Sequence, residues 1–247
     1  MRANEFITEI ERRGFLKGLG ASAAAVAAPF MINKTPGSNE PTKKSEPLVP
    51  MPTLSSNPAI EKKMYALAAS ASPPIEGVEL AQFMAQTNHE SQGFTKVHED
   101  GGPKYWHAKY DVTKNPANAK DLGNVKPGDG VAFHGRGFIQ VTGRWNYTAA
   151  GKFLGIPLAS NPDLAATLEN AGKLALWFWN TRVRARVSDF TDTATVTKAI
   201  NKQLDKLDRR TALFMQYLPA IRKAEAQNKI IKAHNDAPAV PRTARNI

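Results

Sequence analysis

Two His-Glu pairs stand close together in the stretch NHESQGFTKVHEDGG, at residues 88–102. Histidine and glutamate can ligate a metal ion, whereas two glutamates can act as the acid and the base of a hydrolysis. A helical metal site needs two histidines four residues apart with a glutamate between them, and that spacing is missing here. Distant residues such as His107, His134 or Asp129 keep a metal hydrolase open as an alternative. Solvated surface charges are the plainest interpretation of both glutamates.

Glu90 follows a run of apolar residues with helical spacing, which predicts an amphipathic helix from Gly77 to about Ser91. On this helix Glu90 falls seven residues after Phe83 and three after Thr87, at the edge of the apolar stripe. A carboxyl in that place is partly desolvated, which favours its protonated form. The position therefore suits a general acid better than a solvated surface charge.

A second polar stretch, FHGRGFIQVTGRWNY at residues 133–147, alternates with the period of a strand. Arg136, Gln140 and Thr142 would share one face of that strand, and Asn146 follows it. These side chains are suited to hydrogen bonds with sugar hydroxyls and acetamides. The Gly-Arg-Gly segment lacks the third glycine and the lysine-serine pair of nucleotide-binding loops, so we do not expect it to bind phosphate.

Composition narrows the possible chemistry further. The chain has 247 residues and no cysteine, which excludes disulfides, thiolate metal sites and a cysteine nucleophile. Its formal net charge of +11 predicts attraction to an anionic polymer or surface. We expect no nucleic-acid partner and no cofactor, and we expect a monomer.

The first residues carry the pattern of an export signal. Arg12 and Arg13 precede Phe-Leu-Lys and a weak Ala/Gly-rich apolar run, which resembles a twin-arginine leader; a processed leader or anchor of another kind is the alternative. The stretch that follows, rich in Pro, Ser and Lys, cannot bury enough apolar surface to fold. The predicted regions are a leader at 1–32, a disordered linker at 33–58, a folded domain at 59–225 and a flexible tail at 226–247.

Helical signals dominate the folded domain and predict a mainly α fold. Asn161 with Pro162 is expected to open a helix pair, and Asp192 is expected to cap a further helix. The last helix should bend or end near Pro219. Between Gly101 and Gly143 the many Gly, Pro and Asp residues predict loops and a small hairpin.

Several of these segments, taken together and in order, resemble the family 19 glycoside hydrolases, and most closely their phage endolysin branch. They are AQTNHESQGF, DLGNVKPGDGVAFHGRGFIQVTGRWNYTAAGKFLG, NPDLAA, AGKLALWFW and ATVTKAIN, within roughly residues 60–220. The resemblance implies a lysozyme-like helical domain with a small β-hairpin and loop region lining a cleft. It also implies that Glu90 is the general acid and Glu99 the base.

The resemblance also implies substrate contacts for Gln140, Asn146 and Asn201, with Thr142 near the second carboxylate. The implied activity is cleavage of β-1,4 bonds of peptidoglycan with inversion, and a phage or virion origin is also implied. The leader predicts export to the periplasm or the cell exterior through a translocase. Chitin is the alternative substrate, and an inactive wall-binding or virion structural module is the alternative function.

The chain departs from the family pattern at three places. Asp100-Gly101-Gly102 follows Glu99 where many endolysins have Asn-Leu-Asn-Tyr. Lys202 follows Asn201 where glycine is usual, and Asp205-Lys206 stands where Asn-Gly is expected. These departures predict an altered cleft floor near Asn201.

Overall fold

The computed structural model describes residues 45–236, and helices make up most of this part of the chain. They are α1 (Pro58–Ala69), α2 (Gly77–Glu90), α3 (Pro103–Tyr110), α4 (Pro116–Leu122), α5 (Asp129–Ala132), α6 (Arg144–Leu154), α7 (Leu168–Phe178), α8 (Thr193–Ile200) and α9 (Leu207–Asp236). A 3₁₀ helix (Pro162–Ala166) precedes α7, and a π-helical turn (Trp179–Val183) follows it. The prediction of a mainly helical fold is confirmed. The predicted leader at 1–32 lies outside the described residues.

The helix α2 is buried along most of its length, and it was predicted with the right boundaries but the wrong surroundings. Every residue from 80 to 88 is buried, so the helix has no solvated face over this stretch. The amide groups of Gln82 and Gln86 donate hydrogen bonds to the hydroxyls of Thr193 and Thr197, at 2.9 and 3.0 Å. Because buried polar groups are costly unless paired, these bonds allow α2 to be buried and hold α8 alongside it.

The predicted strand at residues 136–142 is wrong in its detail. Arg136 and Val141 exchange backbone hydrogen bonds, and the four residues between them form a tight turn. Gly137 and Gln140 adopt φ values of 78° and 53°, which reverse the chain and break the alternation of side chains. Residues 136–142 are consequently buried throughout. Within the described residues, the predicted hairpin is reduced to this turn and its bridge to His98.

Three short helices, α3, α4 and α5, occupy the region that was predicted as loops. Pro103 and Pro116 stand at the start of α3 and α4, and the side chain of Asn115 accepts a hydrogen bond from the Asn118 backbone N–H. Proline at the first helical position and asparagine as N-cap are both helix-start signals. The loop interpretation gave the many glycines more weight than these starts.

Asp111 fixes the end of α3. Its carboxylate accepts hydrogen bonds from Thr113 and from the backbone N–H groups of Gly128 and Gly130. Burial alone would raise the pKa of Asp111, but these hydrogen bonds outweigh it and lower the pKa to about 2. α3 and α5 are therefore held together by a carboxylate that stays ionised over the physiological range.

The later helices follow the predicted starts more closely than the predicted ends. Asp192 caps α8 through the backbone N–H groups of Ala194 and Thr195. Asn161 precedes the 3₁₀ helix without a side-chain capping bond. The last helix passes Pro219 and continues to Asp236, so part of the predicted tail is helical. None of the helices within residues 45–236 has the length and hydropathy of a membrane span.

Contacts divide the chain into two units, whose described parts are 50–226 and a smaller unit formed by 45–49 with 227–236. In the smaller unit, Asn228 and Asn235 each bond both backbone groups of one residue, Val49 and Glu46 respectively, at 2.7 to 2.9 Å. Residues predicted to belong to a disordered linker are therefore paired.

The buried carboxylate of Glu61 organises the start of the larger unit. It accepts hydrogen bonds from the backbone N–H groups of Leu54 and Ser55, from the Ser55 hydroxyl and from the Tyr217 hydroxyl, at 2.6 to 3.0 Å. Its side chain connects α1 both to the segment that precedes it and to α9.

We expect Glu61→Gln to lower the free energy of unfolding by about 1 to 3 kcal/mol, because an amide offers one acceptor oxygen where the carboxylate offers two. Urea unfolding measures this change. Glu76→Gln, at an exposed position, is the matched control. Equal unfolding midpoints for the two variants would contradict the assigned role of Glu61.

Candidate active site

A polar cavity of about 470 Å³ opens where α2 ends. Three of the predicted site residues line it: Glu90, Gln140 and Asn201. They come from the end of α2, the turn after Arg136 and the end of α8, which are far apart in sequence. The hydrogen bonds between α2 and α8 account for part of this convergence.

Glu90 is the last residue of α2, and its carboxylate is paired with a buried arginine. The Arg210 guanidinium donates to Glu90 Oε1 at 2.7 Å, to Gln86 Oε1 at 2.7 Å and to the Asp205 carbonyl at 2.9 Å. The Arg210 side chain is 1% exposed and the Glu90 side chain 20% exposed. The carboxylate of Glu90 is therefore held by Arg210, and Glu90 still lines the cavity.

The chain leaves α2 through a left-handed turn. Gln92, Gly93 and Phe94 all have positive φ, at 52°, 76° and 62°. The Ser91 hydroxyl supports the turn by accepting from the Phe94 backbone N–H at 2.9 Å, while the Ser91 carbonyl accepts from the Lys96 N–H at 2.8 Å. Consecutive left-handed residues are strained and persist where the surroundings impose them. This turn gives Lys96 a fixed position on the cavity wall.

The second glutamate, Glu99, has a different environment. Its Oε1 accepts from the Tyr110 hydroxyl at 2.6 Å and lies 3.7 Å from Lys109 Nζ, while its Oε2 accepts from the Gly135 N–H at 3.1 Å. The side chain has no exposed surface. A Cβ at Gly135 would lie 3.0 Å from Glu99 Oε2 and 3.2 Å from Thr142 Oγ1, so Thr142 lies near the second carboxylate and Gly135 leaves room for both.

Two other predicted sugar-binding residues have structural contacts. Arg136 is buried and donates to Ala132 O at 2.8 Å, to the Tyr147 hydroxyl at 3.0 Å and to Asp163 at 2.8 Å. The amide of Asn146 donates to the Thr142 carbonyl at 2.8 Å. Neither residue lines the cavity. The contacts of Arg136 support the turn, and they give no support to a sugar contact.

Asn201 caps the end of α8 and is followed by a strained segment. Its side chain accepts from the Gln203 N–H at 3.0 Å. Leu204 and Lys206 have φ values of 54° and 53°. Lys206 therefore adopts, at the expected glycine position, the left-handed conformation that glycine adopts at little cost.

Sequence reasoning missed Arg210 and Tyr110. A signal for Arg210 was present, because it shares the helical stripe of Phe214, Tyr217 and Ile221, which are buried. An arginine on an apolar stripe must find acceptors inside the protein. For Tyr110 no comparable signal exists, since its partner Glu99 reaches it only through the fold.

The described part of the chain contains no cluster of side chains that could bind a metal ion. No three His, Asp or Glu side chains of residues 45–236 lie close enough together to hold a metal ion. His89 is the histidine that lines the cavity, where it stands beside Glu90.

Comparison with known proteins decides the family. The profile of glycosyl hydrolase family 19, described as chitinase class I, matches residues 59–204. The chain belongs to glycoside hydrolase family 19. It is also 30% identical over 161 residues to a glycosyl hydrolase family 19 domain-containing protein of Haemophilus influenzae, covering 57% of this chain and 78% of that protein. Membership makes the chain a glycosidase of the chitinase-like type.

Plant relatives of this family 19 chain are longer proteins. Endochitinase 1 of Theobroma cacao is 35% identical over 125 residues, and the match spans 50% of this chain but 39% of the cacao protein. An Arabidopsis thaliana endochitinase is 38% identical over 107 residues, with 43% of this chain and 33% of that protein covered. The chain thus spans well under half of these two relatives.

Solved structures agree on the fold. Chitinase C from Streptomyces griseus superposes with a TM-score of 0.50 at 25% identity, over 65% of this chain and 69% of that one. A class IV chitinase from Zea mays, at 23% identity and a TM-score of 0.50, covers 65% of this chain and 80% of that one, and shares the fold. The leader also has a match, since residues 9–29 fit the profile of twin-arginine signal sequences.

Stability of this site should depend on the charge of His89. Burial, and then the nearby positive charge of Arg210, lower the pKa of His89 to about 4. The unfolded chain has a histidine pKa of about 6.5, so protons favour the unfolded state. Stability is therefore fully present above pH 6.5 and is lost as the pH falls toward 4.

We expect His89→Gln to flatten this pH dependence, measured as the urea midpoint between pH 7 and pH 4. Some slope will remain, because burial also lowers the pKa of His134. His234→Gln, at a histidine whose side chain is 56% exposed, is the control. A pH profile for His89→Gln as steep as that of the wild type would contradict a buried neutral histidine at this position.

Proposed function

We propose that this family 19 chain hydrolyses β-1,4 bonds between N-acetylated aminosugars, with Glu90 as general acid and Glu99 as general base. The observation that carries the proposal is Glu90 on the wall of a polar cavity that it shares with Gln140 and Asn201. A carboxyl at the cavity surface can reach a glycosidic oxygen. Amide side chains nearby can bind the hydroxyl and acetamide groups of the sugar.

The mechanism follows from the two carboxyl groups. In an inverting glycosidase one carboxyl protonates the leaving oxygen while the other activates a water on the opposite face of the sugar, at a separation of roughly 6.5 to 9.5 Å. Gln140 and Asn201 orient the sugar beside Glu90. Tyr110 orients the carboxylate of Glu99 through the hydrogen bond from its hydroxyl.

Substrate binding must open the site around Glu99. Its side chain has no exposed surface, so the attacking water reaches it only after a neighbouring group moves. The contacts that cover it from α3 belong to Tyr110 and Lys109. The Lys109 ammonium is the more exposed of these two groups, since its side chain is 30% exposed and lies 3.7 Å from the carboxylate, whereas Tyr110 is buried.

Peptidoglycan is the substrate that we propose, with an endolysin-like role outside the inner membrane. The net charge of +11 favours the anionic cell envelope over a neutral polymer. Chitin is the second candidate, supported by the relatives from cacao and Arabidopsis that are described as endochitinases.

We expect Glu90→Gln and Glu99→Gln each to lower kcat by at least about a hundredfold, because an amide neither gives nor takes the required proton. Release of reducing ends from purified peptidoglycan and from chitin oligosaccharides measures the rate. Glu169→Gln, which alters an exposed glutamate paired with Lys173, is the control.

Two results would contradict the assignment of the two glutamates. One is an active Glu90→Gln enzyme together with a wild type that loses activity in a chelator, which would favour a metal hydrolase. The other is a wild type that binds cell walls but releases neither reducing ends nor amino groups, which would favour an inactive wall-binding module.

Export should depend on the paired arginines within the matched segment 9–29. Replacing both Arg12 and Arg13 by lysine is expected to leave a folded, active enzyme in the cytoplasm with its leader intact. The absence of cysteine suits this route, since the protein can fold before export without disulfides. Fractionation followed by immunoblotting measures the distribution, and normal export of the double variant would exclude the twin-arginine route.

A further inference from the structure

Lys96 lines the same cavity as Glu90, and the proposed mechanism gives it no role. Its backbone is fixed by the hydrogen bond from its N–H to the Ser91 carbonyl, directly after the left-handed turn. The side chain is 20% exposed, which is low for a lysine. Lys96 is therefore positioned at the cavity rather than mobile on the surface.

The charges around the cavity leave Lys96 as the cation that can bind a ligand. Arg210, the other cation of this cavity among the described residues, is 1% exposed and donates to Glu90, Gln86 and the Asp205 carbonyl. Lys96 pairs instead with Asp100, whose side chain is 80% exposed. An ion pair with so exposed a partner contributes about 0 to 1 kcal/mol. Another carboxylate can therefore replace Asp100 at low cost.

We propose that Lys96 is a specificity-determining residue that binds a carboxylate of the substrate, and so favours peptidoglycan over chitin. This inference rests on the proposed function. Peptidoglycan carries carboxylates on its stem peptides, and its muramic acid carries a lactyl carboxyl that is free where the peptide is absent. Chitin carries neither group. Lysine binds a carboxylate as a point charge, which suits a substituent of variable position.

The test compares substrates within one enzyme, so that a general loss of folding or of catalysis cancels. Soluble peptidoglycan strands and chitin oligosaccharides of equal length give the ratio of kcat/KM values. We expect Lys96→Gln to lower the peptidoglycan-to-chitin ratio about tenfold, the order of a charge-assisted hydrogen bond. Lys96→Arg should keep most of the peptidoglycan-to-chitin ratio of the wild type, because it keeps the positive charge. Lys62→Gln, at an exposed lysine that does not line the cavity, should not change it.

Asp100→Asn separates recognition from structure. If the Lys96–Asp100 ion pair only stabilises the turn, Lys96→Gln and Asp100→Asn should change the peptidoglycan-to-chitin ratio in the same direction. If Lys96 binds the substrate, removing the competing carboxylate should raise the ratio, opposite to Lys96→Gln. The gain should shrink at high salt, because exposed charges are screened.

A comparison of peptidoglycan glycan strands that carry stem peptides with strands that lack them identifies which carboxylate Lys96 binds. Sensitivity to Lys96→Gln that appears only in peptide-bearing strands assigns a peptide carboxylate, and sensitivity that appears in strands stripped by an amidase assigns the lactyl group. An unchanged ratio in Lys96→Gln overturns the inference, as does a wild type that cleaves chitin but not peptidoglycan, which leaves the glycosidase proposal intact. Activity on neither polymer overturns both.

Discussion

The buried guanidinium of Arg210 is the interaction on which the rest of the site depends. An arginine that is 1% exposed would cost several kcal/mol without partners, and its donors bond to Gln86, Glu90 and the Asp205 carbonyl. These partners belong to the last two turns of α2 and to the segment that precedes α9. Arg210 therefore joins the start of the last helix to the proposed catalytic acid. A shift of α9 at Arg210 would therefore act on Glu90, although the two residues are distant in sequence.

Left-handed backbone is the second constraint, because it forms the cavity wall at several points. The turn at Gln92 to Phe94, the turn at Gly137 to Gln140 and the segment from Leu204 to Lys206 all contain positive φ values. Each reverses the chain within a few residues and brings a polar side chain to the cavity. Non-glycine residues in this conformation are strained, and such strain is characteristic of functional sites. Core packing offsets this strain, since Phe94 and Phe138 are buried edge-to-face against each other.

The sequence alone predicted the structure correctly where the signal lay within a few neighbouring residues. The helix α2 and the capping role of Asp192 were predictable because periodicity and caps act over a few residues. The strand at 136–142 was not, since alternation of side chains cannot reveal a turn that is imposed by positive φ at Gln140. The partners of buried charges could not be predicted from the sequence either. Glu90 and Arg210 are 120 positions apart, and only the fold brings them together. Motif resemblance named both glutamates, but it could not indicate that one would line a cavity and the other would be covered.

The positions at which the sequence departs from the expected family pattern lie outside the frame that holds Glu90. The frame of Gln86, Glu90 and Arg210 is buried or nearly so, and a change there would leave a charge without a partner. The segment after Glu99 begins with a different sequence, supplies α3 with Tyr110 and Lys109, and places Asp100 beside Lys96. Lys206 replaces an expected glycine near Asn201. Substitutions at exposed positions can change which polymer is bound without disturbing the frame that holds the acid. Membership in a family with chitinases is therefore compatible with a different polymer as substrate.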